Sequence, residues 1–311
     1  MPELAIETKA LSWAFEKKRP ILKDLSLQVP EHSIYGFLGP NGAGKTTTIR
    51  LLSGMLIADR DAVFIHGQSL TKNIPGIFKN IGFLIETPSL YLHLTGKENL
   101  SIITTLRNIP KQNIDHVLKL VGLSNAGNKK VRAYSLGMKQ RLGIAMALLP
   151  EPELLLLDEP VNGLDPNGMI EIRELLIDLN KKEGKTIFLS SHLLNEVEKL
   201  CTHIGIINYG ELKYQGTMEE MKKAAYDSGE VIFKIPRASE YISSVQQLEP
   251  QAKLISVDEV LLPFSTSNDV SDINKQISQN NIPVQGIRIR GGLEEWFMQV
   301  INSSSNKINT L

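Results

Sequence analysis

An octapeptide, Gly39-Pro40-Asn41-Gly42-Ala43-Gly44-Lys45-Thr46, limits the folds open to this chain more than any other feature. It has the form GxxxxGK[ST], which binds phosphate when it joins a strand to a helix. The glycines permit a tight turn that presents successive backbone N–H groups to phosphate oxygens. The helix starting here adds its partly positive N-terminal end. Lys45 then reaches the β- and γ-phosphates of a nucleotide, the Thr46 hydroxyl can ligate Mg²⁺, and Thr47 at the head of the helix completes the candidate set. The required context is present. Ser33-Ile34-Tyr35-Gly36-Phe37-Leu38 reads as a buried strand, and Thr47-Thr48-Ile49-Arg50-Leu51-Leu52 continues as a helix ending near Gly54.

With 311 residues the chain can hold one large or two modest domains. Its formal net charge of zero argues against a dedicated nucleic-acid binder, which needs a basic surface. The one cysteine, Cys201, excludes an intrachain disulfide and suits a reducing compartment. It follows Val197 and Leu200 on a predicted helix, which favours a buried small side chain over a reactive thiol. No run of about 18 apolar residues occurs, and no signal-peptide pattern opens the chain. A membrane role is therefore expected to come through a partner.

Residues Glu3–Ile6 and Leu25–Val29 read as edge strands flanking a loop that carries Trp13 and Phe15. Val63-Phe64-Ile65-His66, closed by Gly67, is a further strand. Gly96 to Val121 has helical spacing, and Leu136–Leu149 is a helix stopped before Pro150 and Pro152. Leu154-Leu155-Leu156-Leu157 has the wholly apolar character of a central parallel strand. Helix Met169–Asn180, strand Thr186–Leu189, helix Leu193–Leu200 and strand Ile204–Ile207 then alternate, which implies an α/β core. A boundary is expected near Tyr226-Asp227-Ser228-Gly229. Beyond it, strands at Val231–Ile235, Leu254–Val257, Val260–Phe264 and Val284–Ile289 alternate with helices at Ile242–Leu248 and Val270–Ile277. That βαββαβ order predicts a ferredoxin-like appendage.

The leucine strand delivers Asp158 and Glu159 at its carboxyl end, where open α/β sheets bind ligands. Asp158 is placed to hold Mg²⁺, directly or through water, and Glu159 to accept a proton from water attacking a γ-phosphate. Between the two motifs lies Tyr134-Ser135-Leu136-Gly137-Met138-Lys139-Gln140-Arg141. Here the chain resembles the ATP-binding cassette family, whose signature reads LSGGQ. Ser135 and Gly137 match it, whereas Leu136 and Met138 depart from it. A serine hydroxyl and free N–H groups at a helix start still form an anion-binding end.

The resemblance implies further roles. The signature end would contact the γ-phosphate held by the other subunit of a dimer. Gly163-Leu164-Asp165 resembles the D-loop, with Asp165 at the dimer seam. Ser191-His192 resembles the switch, with His192 contacting the γ-phosphate. Either Phe15 or Trp13 would stack on adenine, and Phe15 stands where the family places that aromatic. Glu86 replaces the usual glutamine; it would contact Mg²⁺ or the lytic water, or be a solvated loop acid. Asp61 stands where the family often has glycine. Glu86 and the signature variant resemble the bacterial subgroup exporting bacitracin or lantibiotic-type peptides.

The expected architecture is an α/β fold: a P-loop NTPase core of cassette type in residues 1–225, with an antiparallel β subdomain and a helical subdomain at about 87–150. A small α+β C-terminal domain would occupy 226–311. The resemblance implies an ATPase using ATP and Mg²⁺, paired as a homodimer or with a related cassette. It would sit peripherally at the cytoplasmic face of the cell membrane through a separate permease, with no nucleic-acid partner. Export of lipid, polysaccharide or drug is the alternative, as is a soluble cassette acting on ribosomes or DNA. The absence of an internal repeat or heptad run disfavours the soluble kind. A P-loop kinase or GTPase would have no use for the Ser135 segment or His192.

Overall fold

The computed structural model describes residues 3–16, 20–58, 61–86, 88–227, 230–263 and 270–302. Two compact units result, the first ending at Gln215 and the second starting at Gly216. In the first, β1 (Leu4–Thr8), β2 (Leu11–Ala14), β3 (Pro20–Leu25) and β4 (Gln28–Pro30) lead into β5 (Ile34–Leu38). Then come α1 (Lys45–Leu52), β6 (Val63–Ile65), β7 (Gln68–Ser69) and β8 (Ile81–Leu84). The helical segment holds α2 (Gly96–Arg107), α3 (Gln112–Leu120) and α4 (Leu136–Leu148). Next come β9 (Leu154–Leu157), α5 (Pro166–Lys181), β10 (Thr186–Ser191), α6 (Leu194–Leu200), β11 (His203–Asn208) and β12 (Glu211–Thr217), whose last two residues fall past the division.

The central sheet runs β12-β11-β5-β10-β9-β8. Pairings from β11 through β8 are all parallel. Every residue of β5, β9 and β10 is buried, as a strand covered on both faces requires. The β11–β12 hairpin turns on Tyr209 and Gly210, both at positive φ, the geometry that matches strand twist. A second sheet, β4-β1-β6-β7, is antiparallel and shares a hydrophobic core with β5 and α1.

The stretch expected as a loop around Trp13 is instead a hairpin. Trp13 lies on β2 opposite Leu22 of β3, and Leu25 ends β3 rather than opening the Val29 strand. Leu11, Leu22 and Leu25 are fully buried, which drives the pairing. Register shifts interrupt the two-residue period that would have revealed it. Phe15 lies just past the end of β2.

Caps set the helix ends. Thr95 and Glu98 form a reciprocal capping box at α2, and the backbone N–H of Thr95 holds the Glu98 carboxyl below its ordinary range. Helix α5 begins at Pro166, earlier than the expected Met169, because Asp165 caps it and proline is pre-set for the first turn. Cys201 is buried, and burial pushes its thiol far up.

The second unit contains α7 (Met218–Asp227), β13 (Glu230–Lys234), α8 (Ala238–Leu248), β14 (Lys253–Ser256), β15 (Glu259–Pro263), α9 (Val270–Gln279), β16 (Gly286–Arg290) and α10 (Leu293–Asn302). From β13 to β16 the order is βαββαβ. The sheet order is β14-β15-β13-β16 with antiparallel neighbours, the expected ferredoxin-like arrangement. Helices α8 and α9 cover one face through Val231, Phe233, Val260 and Leu262. Helix α7, not anticipated from sequence, packs on α10. Of the expected boundary, Tyr226 and Asp227 fall in the last turn of α7, beyond the division at Gln215 and Gly216. Trp296 is buried on α10. Thr87, Ser228, Gly229 and Phe264, which entered the sequence expectations, lie outside the described residues.

Candidate functional site

Strand β5 ends directly in the phosphate-loop octapeptide. A Cβ on Gly39 would stand 2.3 Å from the Ile207 carbonyl oxygen, so only glycine lets β11 lie this close. Gly44 precedes α1 with φ 112°, a conformation that L side chains rarely adopt. The carbonyl of Ala43 accepts the Gly210 N–H at 3.0 Å, tying the loop to the β11–β12 turn. Pro40, Asn41 and Gly42 are exposed, and Thr46 and Thr47 are half-buried in the first turn of α1.

Lys45 is only 6% exposed. Its Nζ donates to the carbonyls of Gly39 (2.8 Å) and Pro40 (3.2 Å) and lies 3.4 Å from Glu159 Oε1. A buried ammonium demands such partners. The other Glu159 oxygen, Oε2, is 2.9 Å from His192 Nδ1. Asp158 is 5% exposed, and its backbone N–H donates to Leu84 at 2.8 Å. The structure thus brings Lys45, Asp158, Glu159 and His192 to the carboxyl ends of three neighbouring strands, β5, β9 and β10, at the edge where ligands bind.

Ser190, which sequence reasoning passed over, joins this cluster. It sits at the end of β10, completely buried, and its hydroxyl touches both Asp158 and Glu159. Its only sequence signal was two hydroxyl residues, Ser190 and Ser191, before His192.

Glu86 takes a different place. It follows β8 at φ 62°, is 60% exposed, and pairs with Arg50 in the last turn of α1. Among the described residues no hydrogen bond links it to Asp158 or Thr46.

The second group of expected residues forms a separate exposed platform. Ser135 caps α4, its hydroxyl accepting the Met138 N–H at 3.2 Å. That bond uses backbone, so methionine in place of the usual glutamine leaves the cap intact. Gly137 is open, with a notional Cβ meeting nothing nearer than Gly168 Cα at 3.9 Å. Asp165 caps α5 by accepting the Gly168 N–H at 2.9 Å. Arg141 bonds Glu171 at 3.2 Å and ties α4 to α5. Among the described residues no hydrogen bond or ion pair joins this platform to the Lys45–Glu159 cluster.

The two aromatics separate cleanly. Trp13 Nε1 donates to the Ile57 carbonyl at 3.2 Å, and its ring packs on the core. Phe15 is 66% exposed and meets the Trp13 ring edge-on at 4.3 Å. Phe15 is therefore the one with a free face. Asp61 serves the structure of its own turn. It accepts from Ser69, Thr71 and Lys72, and Lys72 chiefly holds its carboxyl down at about 2.

A family model described as ABC transporter matches residues 22–162. A bacitracin transport ATP-binding protein of Bacillus licheniformis is 40% identical over 284 residues, covering 90% of this chain and 92% of that one. The chain belongs to the ABC transporter ATP-binding family. A lantibiotic transport ATP-binding protein of Streptococcus pyogenes is 40% identical over 66% of this chain and 90% of its own length. Among solved structures, cbiO1 from Clostridium perfringens, part of the ABC transporter complex cbiONQ, aligns with a TM-score of 0.66 at 25% identity. It covers 80% of this chain and 97% of that one. This chain is thus an ABC ATPase, and its Lys45–Glu159 cluster stands at the carboxyl edge of the central sheet. No described helix is long and apolar enough to cross a membrane.

Proposed function

We propose that this ABC ATPase powers export of an antibiotic peptide of bacitracin or lantibiotic type, working in pairs beneath a separate permease at the cytoplasmic membrane face. One observation supports the pairing: among the described residues the two candidate half-sites of a chain share no hydrogen bond or ion pair. The Lys45 cluster has the grip and the base, while the exposed Ser135 and half-buried Gly137 open helix α4, whose first N–H groups can meet an anion. A second copy, or a related cassette, laid head to tail supplies its Ser135 end to the first copy's γ-phosphate. Asp165 then lines the seam and Phe15 stacks on adenine. The cargo class rests on the named transport roles of the relatives, and binding of nucleic acid has no place in this reading.

The residues present fit Mg²⁺. Among the described residues no three acidic, histidine or cysteine side chains gather to form a protein cage. Thr46 and Asp158 would hold the ion, because Mg²⁺ characteristically takes one or two protein ligands and fills its shell with phosphate and water. Bound there, it would neutralise charge developing on the phosphate oxygens. The chain's own residues do the rest. Lys45 exchanges Glu159 and the loop carbonyls for phosphate oxygens. Glu159, released, accepts the proton of the attacking water at a carboxylate oxygen. His192 orients that carboxylate through Nδ1 and then meets the γ-phosphate.

Docking of a permease is supported by exposed apolar residues at the end of α1. Ile57 and Ile74 line a small cleft with Leu51, Leu56 and Val63, and Met55 is exposed beside it. The Arg50–Glu86 pair ties this end of α1 to the loop after β8, and we assign Glu86 to coupling this surface to the catalytic edge.

The test is to purify the Glu159→Gln protein with ATP and Mg²⁺ and measure its mass in solution by sedimentation. Pairing that requires ATP and disappears in Ser135→Arg supports the reading; a monomer at saturating ATP overturns it. Loss of the gene should sensitise cells to bacitracin or a lantibiotic, and unchanged resistance would redirect the cargo assignment.

A further inference from the structure

The ladder of hydrogen bonds between β9 and β10 ends at Leu157 and Leu189. Immediately beyond it the chain has a problem to solve. The Glu159 N–H points past the ladder, and Glu159 itself sits at φ 48°, where a non-glycine residue persists only if its surroundings hold it. One step earlier, the Asp158 carboxylate is almost wholly buried and requires a donor. Ser190 solves both. Its Oγ accepts the Glu159 N–H at 2.9 Å and donates to Asp158 Oδ1 at 2.5 Å.

The direction of these bonds is forced. An amide N–H can only donate, so Ser190 Oγ must accept there. The hydroxyl has a single proton, and that proton is committed to Asp158 Oδ1. The carboxylate is thereby held in rotation through Oδ1, which leaves Oδ2 as the oxygen not engaged by Ser190. The same oxygen fixes the backbone from which the Glu159 carboxylate projects. Removing a side chain that orients a ligating carboxylate in this way typically costs about 10- to 100-fold in metal affinity or activity.

We propose that Ser190 is a positioning residue for both acidic groups of the ATPase: it aims Asp158 at the cation and holds Glu159 in place for proton transfer. It does not touch nucleotide. This rests on the assignment of Asp158 and Glu159 made above, and the experiment separates the two.

Four variants are compared: Ser190→Ala, Ser190→Thr, Ser190→Cys and Ser191→Ala, with Glu159→Gln as the control for the catalytic reading. Ser191 Oγ accepts the Leu193 N–H at 3.0 Å and serves as the neighbouring-hydroxyl control. Two quantities are read: the Mg²⁺ concentration giving half-maximal binding of a fluorescent ATP analogue, and kcat against KM for ATP. Ser190→Ala should raise the Mg²⁺ requirement and lower kcat, each by about 10- to 100-fold, with KM nearly unchanged. Ser190→Thr, which keeps the hydroxyl, should restore both to within a few-fold. Ser190→Cys preserves volume but offers only a weak donor; it should behave like Ser190→Ala and serves if alanine prevents folding. Ser191→Ala should leave the Mg²⁺ requirement alone. A folded Ser190→Ala or Ser190→Cys with a wild-type Mg²⁺ requirement overturns the proposal, as does equal loss in Ser190→Thr. If Glu159→Gln also turns over normally, the underlying catalytic assignment has failed instead.

Discussion

Replacing Glu159 by glutamine should do two opposite things at once, abolishing turnover while tightening nucleotide binding. In the structure the Glu159 carboxylate lies 3.4 Å from the Lys45 ammonium, and the two groups are only 20% and 6% exposed. At that distance and an effective dielectric of about 20, their attraction is roughly 5 kcal/mol before water exchange. Close charge pairs retain about 1.5–7 kcal/mol of this as net coupling, and the partial exposure of Glu159 puts this pair at the lower end. An arriving triphosphate must displace Glu159 from Lys45 and then tolerate a carboxylate nearby. Glutamine has the same shape without the charge, so both costs shrink. Affinity should rise by about 10- to 100-fold, since each 1.4 kcal/mol is tenfold. Loss of the general base should lower the hydrolysis rate by about 10²–10⁴-fold. Titration of a fluorescent ATP analogue with Mg²⁺ gives the first quantity, and single-turnover hydrolysis the second. Turnover at the wild-type rate would remove Glu159 as the base. Lost turnover with unchanged or weaker affinity would refute the competition for Lys45.

Other perturbations discriminate equally well. Phe15→Ala should raise KM for ATP and leave the melting temperature unchanged, whereas Trp13→Ala should lower the melting temperature by removing core packing and the bond to Ile57; the reverse pattern would exchange their roles. Gly39→Ala forces a Cβ to 2.3 Å from the Ile207 carbonyl, so about 1–3 kcal/mol of stability should be lost, read by urea denaturation. Trp296→Ala, at a position 7% exposed, should cost the second unit about 3–5 kcal/mol, visible as an early transition in thermal unfolding. Asp61 has its folded pKa lowered from 3.8 to about 2, chiefly by Lys72. Its contribution is therefore complete above about pH 4 and disappears as pH falls through about 2. An NMR titration of the Asp61 carboxyl with a midpoint near 4 would contradict that pairing.

Much of the site could be read before any fold was seen, because its parts are chemically specialised. The octapeptide has few other uses, and four leucines ending in Asp158 and Glu159 make sense only at the tip of a buried strand. The ferredoxin-like order of the second unit also followed from spacing, since amphipathic helices and short strands carry distinct periods. Helix α7 escaped because its polar run Glu219, Glu220, Lys222 and Lys223 hides a stripe of Met218, Met221 and Ala225 whose partner, α10, lies far along the chain. The β2–β3 hairpin escaped because its register is irregular.

Local chemistry, then, determined what this chain grips and where the acids stand, since turn geometry, helix starts and strand burial depend on neighbouring residues. Only the tertiary structure decided who faces whom. It paired Lys45 with Glu159, gave Glu86 to Arg50, chose Phe15 over Trp13 as the free ring, and set Ser190 between two carboxylates. Those outcomes depend on how strands far apart in sequence lie side by side. Contacts of that kind leave no period or spacing for a linear reading to find.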